Sequence, residues 1–179
     1  MASQRLFFAL VPDEATRERI VGVAAALRLE AGSRLVPRNN LHMTLAFVGE
    51  VPSPQVPALL QVGGEQRMDP FRLRFADTEY WPKPEVVVAA ARTFPDAVLG
   101  FWQRLHRDLA SHQWALAPKR FRPHVTLARK VPQAPVFQAM SSFDWTAREF
   151  SLMRSDTSGS EPAYTVVATW PLLDDGEIT

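Results

Sequence analysis

Apolar and polar residues alternate along the chain in patterns that predict both strands and helices. Apolar and aromatic residues over 5–11 predict a buried strand, which Pro12 ends. Apolar residues then recur at helical spacing up to about Glu30, and Gly32 follows as a stop. The same reasoning predicts strands over 41–48, 71–75 (continuing towards 81), 86–91 and 124–130, a short helix near 56–66, a helix from 95 to about 113, and extended segments over 150–154 and 164–170.

The order of these elements predicts an α+β fold. Strand, helix and strand follow one another twice, with long connections between them, which indicates a loose internal duplication. Prolines separate the elements but do not gather into one long linker. We therefore expect a single domain over 1–179, built from two lobes related by a pseudo-twofold, with 174–179 as a frayed acidic tail.

The composition narrows the chemistry. The chain has 179 residues and no cysteine, which excludes disulfides, thiolate metal sites and cysteine nucleophiles. Twenty Lys and Arg face nineteen Asp and Glu, and this net charge of +1 argues against wrapping long duplexes by bulk electrostatics. We expect any contact with nucleic acid to be local.

The apolar runs are short. The segment 1–12 shows no small-residue cleavage pattern after its apolar stretch, and no run approaches the roughly 20 residues needed to span a bilayer. These features predict a cytoplasmic protein without a membrane partner.

A repeated motif carries the candidate chemistry. His42-Met43-Thr44-Leu45-Ala46 and His124-Val125-Thr126-Leu127-Ala128 share the pattern His-x-Thr-Leu-Ala, 124 − 42 = 82 residues apart. With four histidines and ten threonines in the chain, two such pairs arise by chance with a probability on the order of 10⁻³. A lone histidine on an apolar strand is more often a structural residue, but two copies in matching contexts indicate a function.

The spacing of the motif suits acid–base chemistry. Side chains two apart on a strand point to the same face, so each histidine and its threonine lie together while the residue between them faces the core. If the two strands lie side by side, the four polar groups converge in one cleft. An imidazole pKa near 6.5 lets one ring act as a base and the other as an acid.

That arrangement fits phosphodiester hydrolysis without a metal. In-line displacement needs a base on the attacking oxygen and an acid on the leaving oxygen. Thr44 and Thr126 are expected to donate to the phosphoryl oxygens, and Arg129 to neutralise charge there. A zinc site needs three or four convergent ligands, and neither motif supplies a second one, so we predict no metal and no cofactor.

Other polar residues are weaker candidates. Arg122 precedes the second motif but has less support than Arg129. His106 and His112 lie in the second long helix without a threonine partner or ligand spacing, and we expect them to be surface or helix-end residues. Phe7 and Phe8 offer rings that could stack on a base, but an aromatic residue in a first strand is more often a core residue, and we expect both to lie in the core.

At these motifs the chain resembles the two-histidine phosphoesterase superfamily, and within it the bacterial RNA 2′,3′-cyclic phosphodiesterases, also called 2′-5′ RNA ligases. The segments that carry the resemblance are the opening strand, the two motif segments and the closing strand, over 5–10, 40–49, 122–129 and 164–170. The resemblance implies a bilobal α+β fold with the cleft between two antiparallel sheets.

The resemblance also implies roles and partners. It makes His42 the proton donor to the departing 3′ oxygen and His124 the proton acceptor from water, giving a 2′-phosphate; the residues alone leave these two roles open. The reverse reaction would join a 5′-hydroxyl to the cyclic phosphate. The expected partners are RNA 2′,3′-cyclic phosphate ends or cyclic mononucleotides, with the protein a monomer. The alternatives are a phosphodiesterase of small nucleotide cyclic phosphates and a non-catalytic nucleotide- or RNA-binding module.

Overall fold

The computed structural model describes residues 2–114, 116, 120–157, 159 and 162–173. Three helices lie within these residues: α1 (Glu14–Ala25), α2 (Val56–Glu65) and α3 (Asp96–Ser111). The strands are β1 (Ser3–Leu10), β2 (Arg34–Leu35), β3 (Met43–Pro52), β4 (Phe71–Phe75), β5 (Asp77–Trp81), β6 (Val86–Ala90), β7 (His124–Arg129), β8 (Phe143–Ala147), β9 (Glu149–Asp156) and β10 (Ala163–Pro171).

Two four-stranded antiparallel sheets form the framework of the described chain. The first has the order β10-β9-β1-β3 and the second the order β2-β7-β6-β5. A separate antiparallel pair joins β4 to β8. Strands and helices therefore combine as the sequence predicts, in an α+β fold with antiparallel sheets.

Each large sheet combines strands that lie far apart in the sequence. Strands β9 and β10, late in the sequence, complete the sheet of β1 and β3, while β2, early in the sequence, joins the sheet of β7. This exchange connects early and late segments of the chain by backbone hydrogen bonds.

The buried apolar side chains form a main core cluster and a smaller second cluster of Phe7, Ala9 and Met153. Helix α1 contacts β7 and β8, α2 contacts β9 and β10, and α3 contacts α2 and β3. Phe8 is fully buried and Phe7 is 3 % exposed, which confirms both as core residues. The largest fully buried side chains are Trp145, Phe8, Phe75, Phe101, Phe150, Leu6, Leu10, Ile20, Met43, Leu59, Leu73 and Leu105.

Helix α1 is shorter than its apolar spacing predicts. The Asp13 side chain accepts a hydrogen bond from the Thr16 amide at 2.7 Å and caps the helix start. The helix ends at Ala25 and not near position 30. Leu27 and Leu29 both pack against the core, which residues two apart in a helix cannot do, because they would lie on different faces.

Strand boundaries differ from the prediction where the chain changes partners. The predicted strand from 71 towards 81 is two strands, since β4 pairs with β8 whereas β5 pairs with β6. Strands β2 and β8 were not predicted. In β8 the side chains of Phe143, Trp145 and Ala147 are buried in alternation, so a period-two signal was present in the sequence.

The predictions for the acidic tail and for membrane-spanning segments have the following outcomes. The predicted frayed tail, 174–179, lies outside the described residues. None of the described helices is long and apolar enough to cross a membrane.

Candidate active site

The two His-x-Thr-Leu-Ala motifs lie at the starts of strands in two different sheets. His42 immediately precedes β3, at the edge of the first sheet, and His124 begins β7, within the second. Strands β3 and β7 contact each other. The predicted side-by-side arrangement is therefore a contact between sheets and not a pairing within one.

Each motif contains a β-bulge at its leucine. In the pairing of β3 with β1, Thr44 and Ala46 have consecutive partners, which leaves Leu45 as the extra residue. In the pairing of β7 with β6, Thr126 and Ala128 have consecutive partners, and Leu127 is the extra residue. The shared Leu therefore marks the same local distortion in both copies.

The bulges bring two further side chains into the site. Strict alternation would place Phe47 and Arg129, each five residues after its histidine (47 − 42 and 129 − 124), on the side of the buried leucines. An extra residue reverses the alternation, and both side chains are exposed and line the cleft.

The carbonyls at the bulges are hydrogen-bonded by neighbouring elements. The Leu45 carbonyl accepts from Trp102 Nε1 and from His106 Nε2, both at 2.9 Å, and thereby ties α3 to β3. The Leu127 carbonyl accepts from the Val36 amide at 2.8 Å. The prediction that His106 is a surface or helix-end residue is wrong, because its ring is half-buried, lines the cleft and supports the first motif.

His112 lies where the sequence predicts. It is exposed and caps the C-terminal end of α3. Its Nδ1 donates to the Asp108 carbonyl within the same helix at 3.0 Å.

A cleft of about 820 Å³ brings the motif residues together. All five residues that the sequence predicts for the site line it: His42, Thr44, His124, Thr126 and Arg129. The remaining lining residues are Leu45, Ala46, Phe47, Val48, Trp81, Lys83, Pro84, Val86, Trp102, His106, Leu116, Arg120, Phe121 and Arg122. Both imidazoles thus face the same space.

His42 is held by hydrogen bonds and by aromatic rings. Its Nδ1 donates to the Asn40 carbonyl at 2.7 Å, so the neutral ring presents Nε2 as an acceptor, and the Thr44 hydroxyl lies 3.1 Å from that atom. The rings of Phe7 and Tyr164 lie 5.0 Å and 5.1 Å from the imidazole, centroid to centroid. The ring orientation is therefore fixed from several sides.

His124 makes the same hydrogen bond to the backbone as His42 but has different neighbours. Its Nδ1 donates to the Arg122 carbonyl at 2.6 Å, again two residues earlier, and its ring lies 4.5 Å from Trp81. No hydrogen bond joins its Nε2 to any side chain or backbone group in the described part of the chain. The lone pair on that nitrogen is available in the cleft, whereas that of His42 is already engaged by Thr44.

Burial lowers the pKa of both histidines. The pKa of His42 falls from 6.5 to about 4, because desolvation and the nearby positive charges of Arg129 and His124 outweigh the bond to the Asn40 carbonyl. The pKa of His124 is also lowered, mainly by desolvation, although the Arg122 carbonyl and the Glu79 carboxylate oppose the shift. Both shifts favour the neutral form of the ring.

A charged and aromatic cluster surrounds His124. Glu79 accepts hydrogen bonds from Arg122 at 2.8 Å and from Trp81 Nε1 at 2.9 Å, and Arg92 lies 3.0 Å from its other oxygen. The Arg122 guanidinium lies 4.3 Å from the Trp81 ring centroid. Sequence reasoning gave Arg122 little weight and missed Glu79 and Trp81, although their spacing of two along β5 indicates a shared face.

Potential metal ligands are dispersed. Within the ranges the structure describes, no three His, Cys, Asp or Glu side chains gather as a metal site. The histidines and hydroxyls that line the cleft have the donor types for acid–base chemistry on an anionic substrate.

Comparison with known proteins identifies similar chains. The profile of the LigT-like phosphoesterase family matches residues 10–88. The RNA 2′,3′-cyclic phosphodiesterase of Thermus thermophilus is 33 % identical, covering 94 % of this chain and 90 % of its own, and that of Escherichia coli K12 is 31 % identical, covering 94 % and 97 %. The crystal structure of E. coli LigT complexed with 3′-AMP superposes with a TM-score of 0.86 at 30 % identity, covering 96 % of this chain and 99 % of that one.

Proposed function

The chain belongs to the LigT-like phosphoesterase family, and from that membership we propose that it is an RNA 2′,3′-cyclic phosphodiesterase. The observation that carries the proposal is the convergence of His42 and His124, each with a matching threonine, in one cleft. Curated relatives that match over nearly their whole length carry the name of this activity.

The geometry favours a reaction with one acid and one base. His124 Nε2, whose lone pair is free, takes a proton from water as the water oxygen attacks phosphorus. The bond from phosphorus to the 3′ oxygen breaks, and His42 Nε2 delivers a proton to that oxygen. The product is a 2′-phosphate with a free 3′-hydroxyl, and each histidine ends in the protonation state opposite to its starting one.

The acid role of His42 requires the substrate itself. A pKa of about 4 leaves this ring neutral in the free protein. The negative charge of a bound phosphodiester favours the imidazolium and raises the pKa of both histidines. The Thr44 hydroxyl, which lies 3.1 Å from Nε2 of the ring, can then turn from the ring towards a phosphoryl oxygen.

The remaining cleft groups bind the phosphate in this scheme. Thr44 and Thr126 donate hydrogen bonds to the two non-bridging oxygens, from one sheet each. Arg129, which the bulge brings into the cleft, neutralises the charge that develops on those oxygens. We propose that no metal ion and no cofactor takes part.

The substrate can be an RNA end or a smaller nucleotide. The names of the relatives favour RNA ends over small cyclic nucleotides and over a binding module without turnover. We expect ligation of a 5′-hydroxyl end to be the minor reaction, because water competes for the same phosphorus. A single two-lobed domain over 1–179, a monomeric state and a cytoplasmic location remain predictions.

The test is product analysis of an oligonucleotide that ends in a 2′,3′-cyclic phosphate, beside a cyclic mononucleotide, in the presence of EDTA. We expect chelator-resistant hydrolysis to a 2′-phosphate, with faster turnover of the oligonucleotide. A 3′-phosphate product would reverse the assignment of the leaving oxygen. Strict dependence on an added divalent ion would overturn the mechanism.

A further inference from the structure

The two motif strands share a bulge at the motif leucine, but the carbonyls at the two bulges are held in different ways. The Leu127 carbonyl accepts a hydrogen bond from the backbone amide of Val36 at 2.8 Å. The Leu45 carbonyl accepts from two side chains of α3, Trp102 Nε1 and His106 Nε2, each at 2.9 Å. The first bulge therefore depends on side chains of another element, which substitution can remove.

The carbonyl of Leu45 needs partners from outside its sheet. The extra residue of a bulge is left unpaired in the ladder of hydrogen bonds. Leu45 is 2 % exposed, so water has little access to replace a lost bond. A buried carbonyl without a donor costs free energy. Loss of both donors from α3 should therefore change the path of the backbone between Thr44 and Ala46.

The two donors form a pair that is ordered before any substrate binds. Trp102 and His106 are four residues apart, so they lie on one side of α3, and their ring centroids are 4.0 Å apart. The Trp102 ring also lies 5.4 Å from the ring of Phe121. Helix α3 is itself anchored in the core by four buried side chains, those of Val98, Phe101, Leu105 and Leu109. Both donors thus reach β3 from a fixed support.

The bulge lies next to the groups that meet the phosphate. Thr44 immediately precedes Leu45, and its hydroxyl lies 3.1 Å from His42 Nε2. A rotation of the backbone at the bulge would move this hydroxyl away from both the imidazole and the phosphoryl oxygen. A misplacement of about 1 Å near a reacting group can cost on the order of 10² in rate.

We infer that Trp102 and His106 are positioning residues for the reaction, which hold the bulge at Leu45 and thereby place Thr44 against His42 and the phosphate. The inference rests on the proposed function. It gives a role to α3, which supplies none of the groups of the acid–base scheme. The two rings line the cleft, but in this role they act on the strand and need no contact with the substrate.

The experiment is a double-mutant cycle on the two donors. His106→Phe and Trp102→Phe each keep an aromatic ring and remove one donor, and the double variant removes both. Because either donor alone still binds the carbonyl, we expect each single variant to lose about threefold in kcat for adenosine 2′,3′-cyclic phosphate and the double variant about a hundredfold. The loss should fall on kcat more than on KM, since protonation of the leaving oxygen occurs only in the transition state.

A conservative variant and a matched control accompany the cycle. His106→Gln offers a side-chain N–H near the place of the imidazole Nε2. Combined with Trp102→Phe, it should recover most of the kcat that the double phenylalanine variant loses. His112→Phe makes the same substitution at an exposed histidine that caps the end of α3, and it should leave kcat and KM unchanged.

Hydrogen exchange of backbone amides tests the positioning without reference to activity. In the double phenylalanine variant we expect faster exchange in β3 around the bulge and unchanged exchange in β7. Additive losses in the cycle, a rise in KM with kcat unchanged, or unchanged exchange in β3 would overturn the positioning role and leave the phosphodiesterase intact. Failure of the unaltered protein to hydrolyse the substrate would overturn the proposed function, whatever the exchange shows.

Discussion

At the scale of single residues, the two histidines share one backbone contact and differ in their aromatic neighbours. Each donates Nδ1–H to the carbonyl two residues earlier, which fixes Nε2 as the unprotonated nitrogen of each neutral ring. His42 is enclosed by Phe7 and Tyr164, whereas His124 lies beside Trp81. Near-identical motifs can therefore take different chemical roles, since the groups around each ring set its proton affinity.

Removing either imidazole should abolish turnover while leaving the fold intact. General acid–base catalysis by a positioned side chain contributes on the order of 10² to 10⁴ in rate, so we expect kcat to fall by at least about a hundredfold in both His42→Ala and His124→Ala. His112→Ala, at an exposed position at the end of α3, should retain full kcat. Initial rates with a cyclic mononucleotide measure the effect, and retention of activity in either cleft variant would contradict the proposed roles.

Glu79 should act on the reaction through His124. Its carboxylate holds Arg122 and Trp81 beside that ring and raises the ring's pKa. In Glu79→Gln we expect the pKa of His124 to fall further, the limb of the kcat/KM profile that depends on it to move to lower pH, and kcat to fall by about tenfold through misplacement of the ring. Glu50→Gln, at an exposed glutamate that binds Ser3, should change neither, and a fall in kcat without any movement of the pH profile would speak for a merely structural role.

At the scale of elements, the hydrophobic pattern predicts most strands but not the detail that completes the site. The apolar runs and the His-x-Thr spacing place the two motif strands correctly, and α2 and α3 lie close to their predicted bounds. The bulges at Leu45 and Leu127 could not be predicted, because a bulge is defined by the register with a partner strand and not by one strand alone. The cleft positions of Phe47 and Arg129 follow from that register, and alternation by itself assigns both side chains to the core side.

Two glycines in helices should respond in opposite ways to the same substitution. A methyl group added at Gly63 in α2 would overlap the ring of Trp170, which packs across the helix, whereas a methyl group at Gly22 in α1 meets no atom within 4 Å. We expect Gly63→Ala to lower the free energy of unfolding by about 1–3 kcal/mol through overpacking. Gly22→Ala should raise it by about 0.5–1 kcal/mol, because alanine favours the helix. Urea unfolding of the pair measures both, and equal effects would contradict the packing of Trp170 on α2.

At the scale of the whole molecule, each of the two sheets that hold the histidines combines strands from distant parts of the sequence. Strand β3 belongs to a sheet completed by the end of the chain, and β7 to a sheet completed by β2. The two histidines are thus held by different sheets, each stabilised by distant segments. The topology of the exchange was beyond sequence reasoning, since pairing between segments that lie far apart in the sequence leaves no periodic signal in either of them.

The pH at which the reaction is fastest should depend on the burial of the two histidines in the cleft. The kcat/KM profile follows the free protein, in which burial lowers the pKa of both histidines, so its maximum should lie below pH 6.5. The kcat profile follows the complex, in which the phosphate anion raises both pKa values, so its maximum should lie at higher pH. The two apparent pKa values of each profile describe the pair of histidines and are not assigned to either residue alone. Coincident maxima, or a kcat/KM maximum above neutrality, would contradict the electrostatics of the site.

The most direct test of the account is an NMR titration of the four histidine rings with and without a nucleoside 2′-phosphate. Signals are assigned with single-histidine variants. We predict that the pKa of His42, about 4 in the free protein, rises on binding together with that of His124. A bound nucleotide that shifts only one of the two cleft histidines, or neither, would show that they do not face a common phosphoryl group.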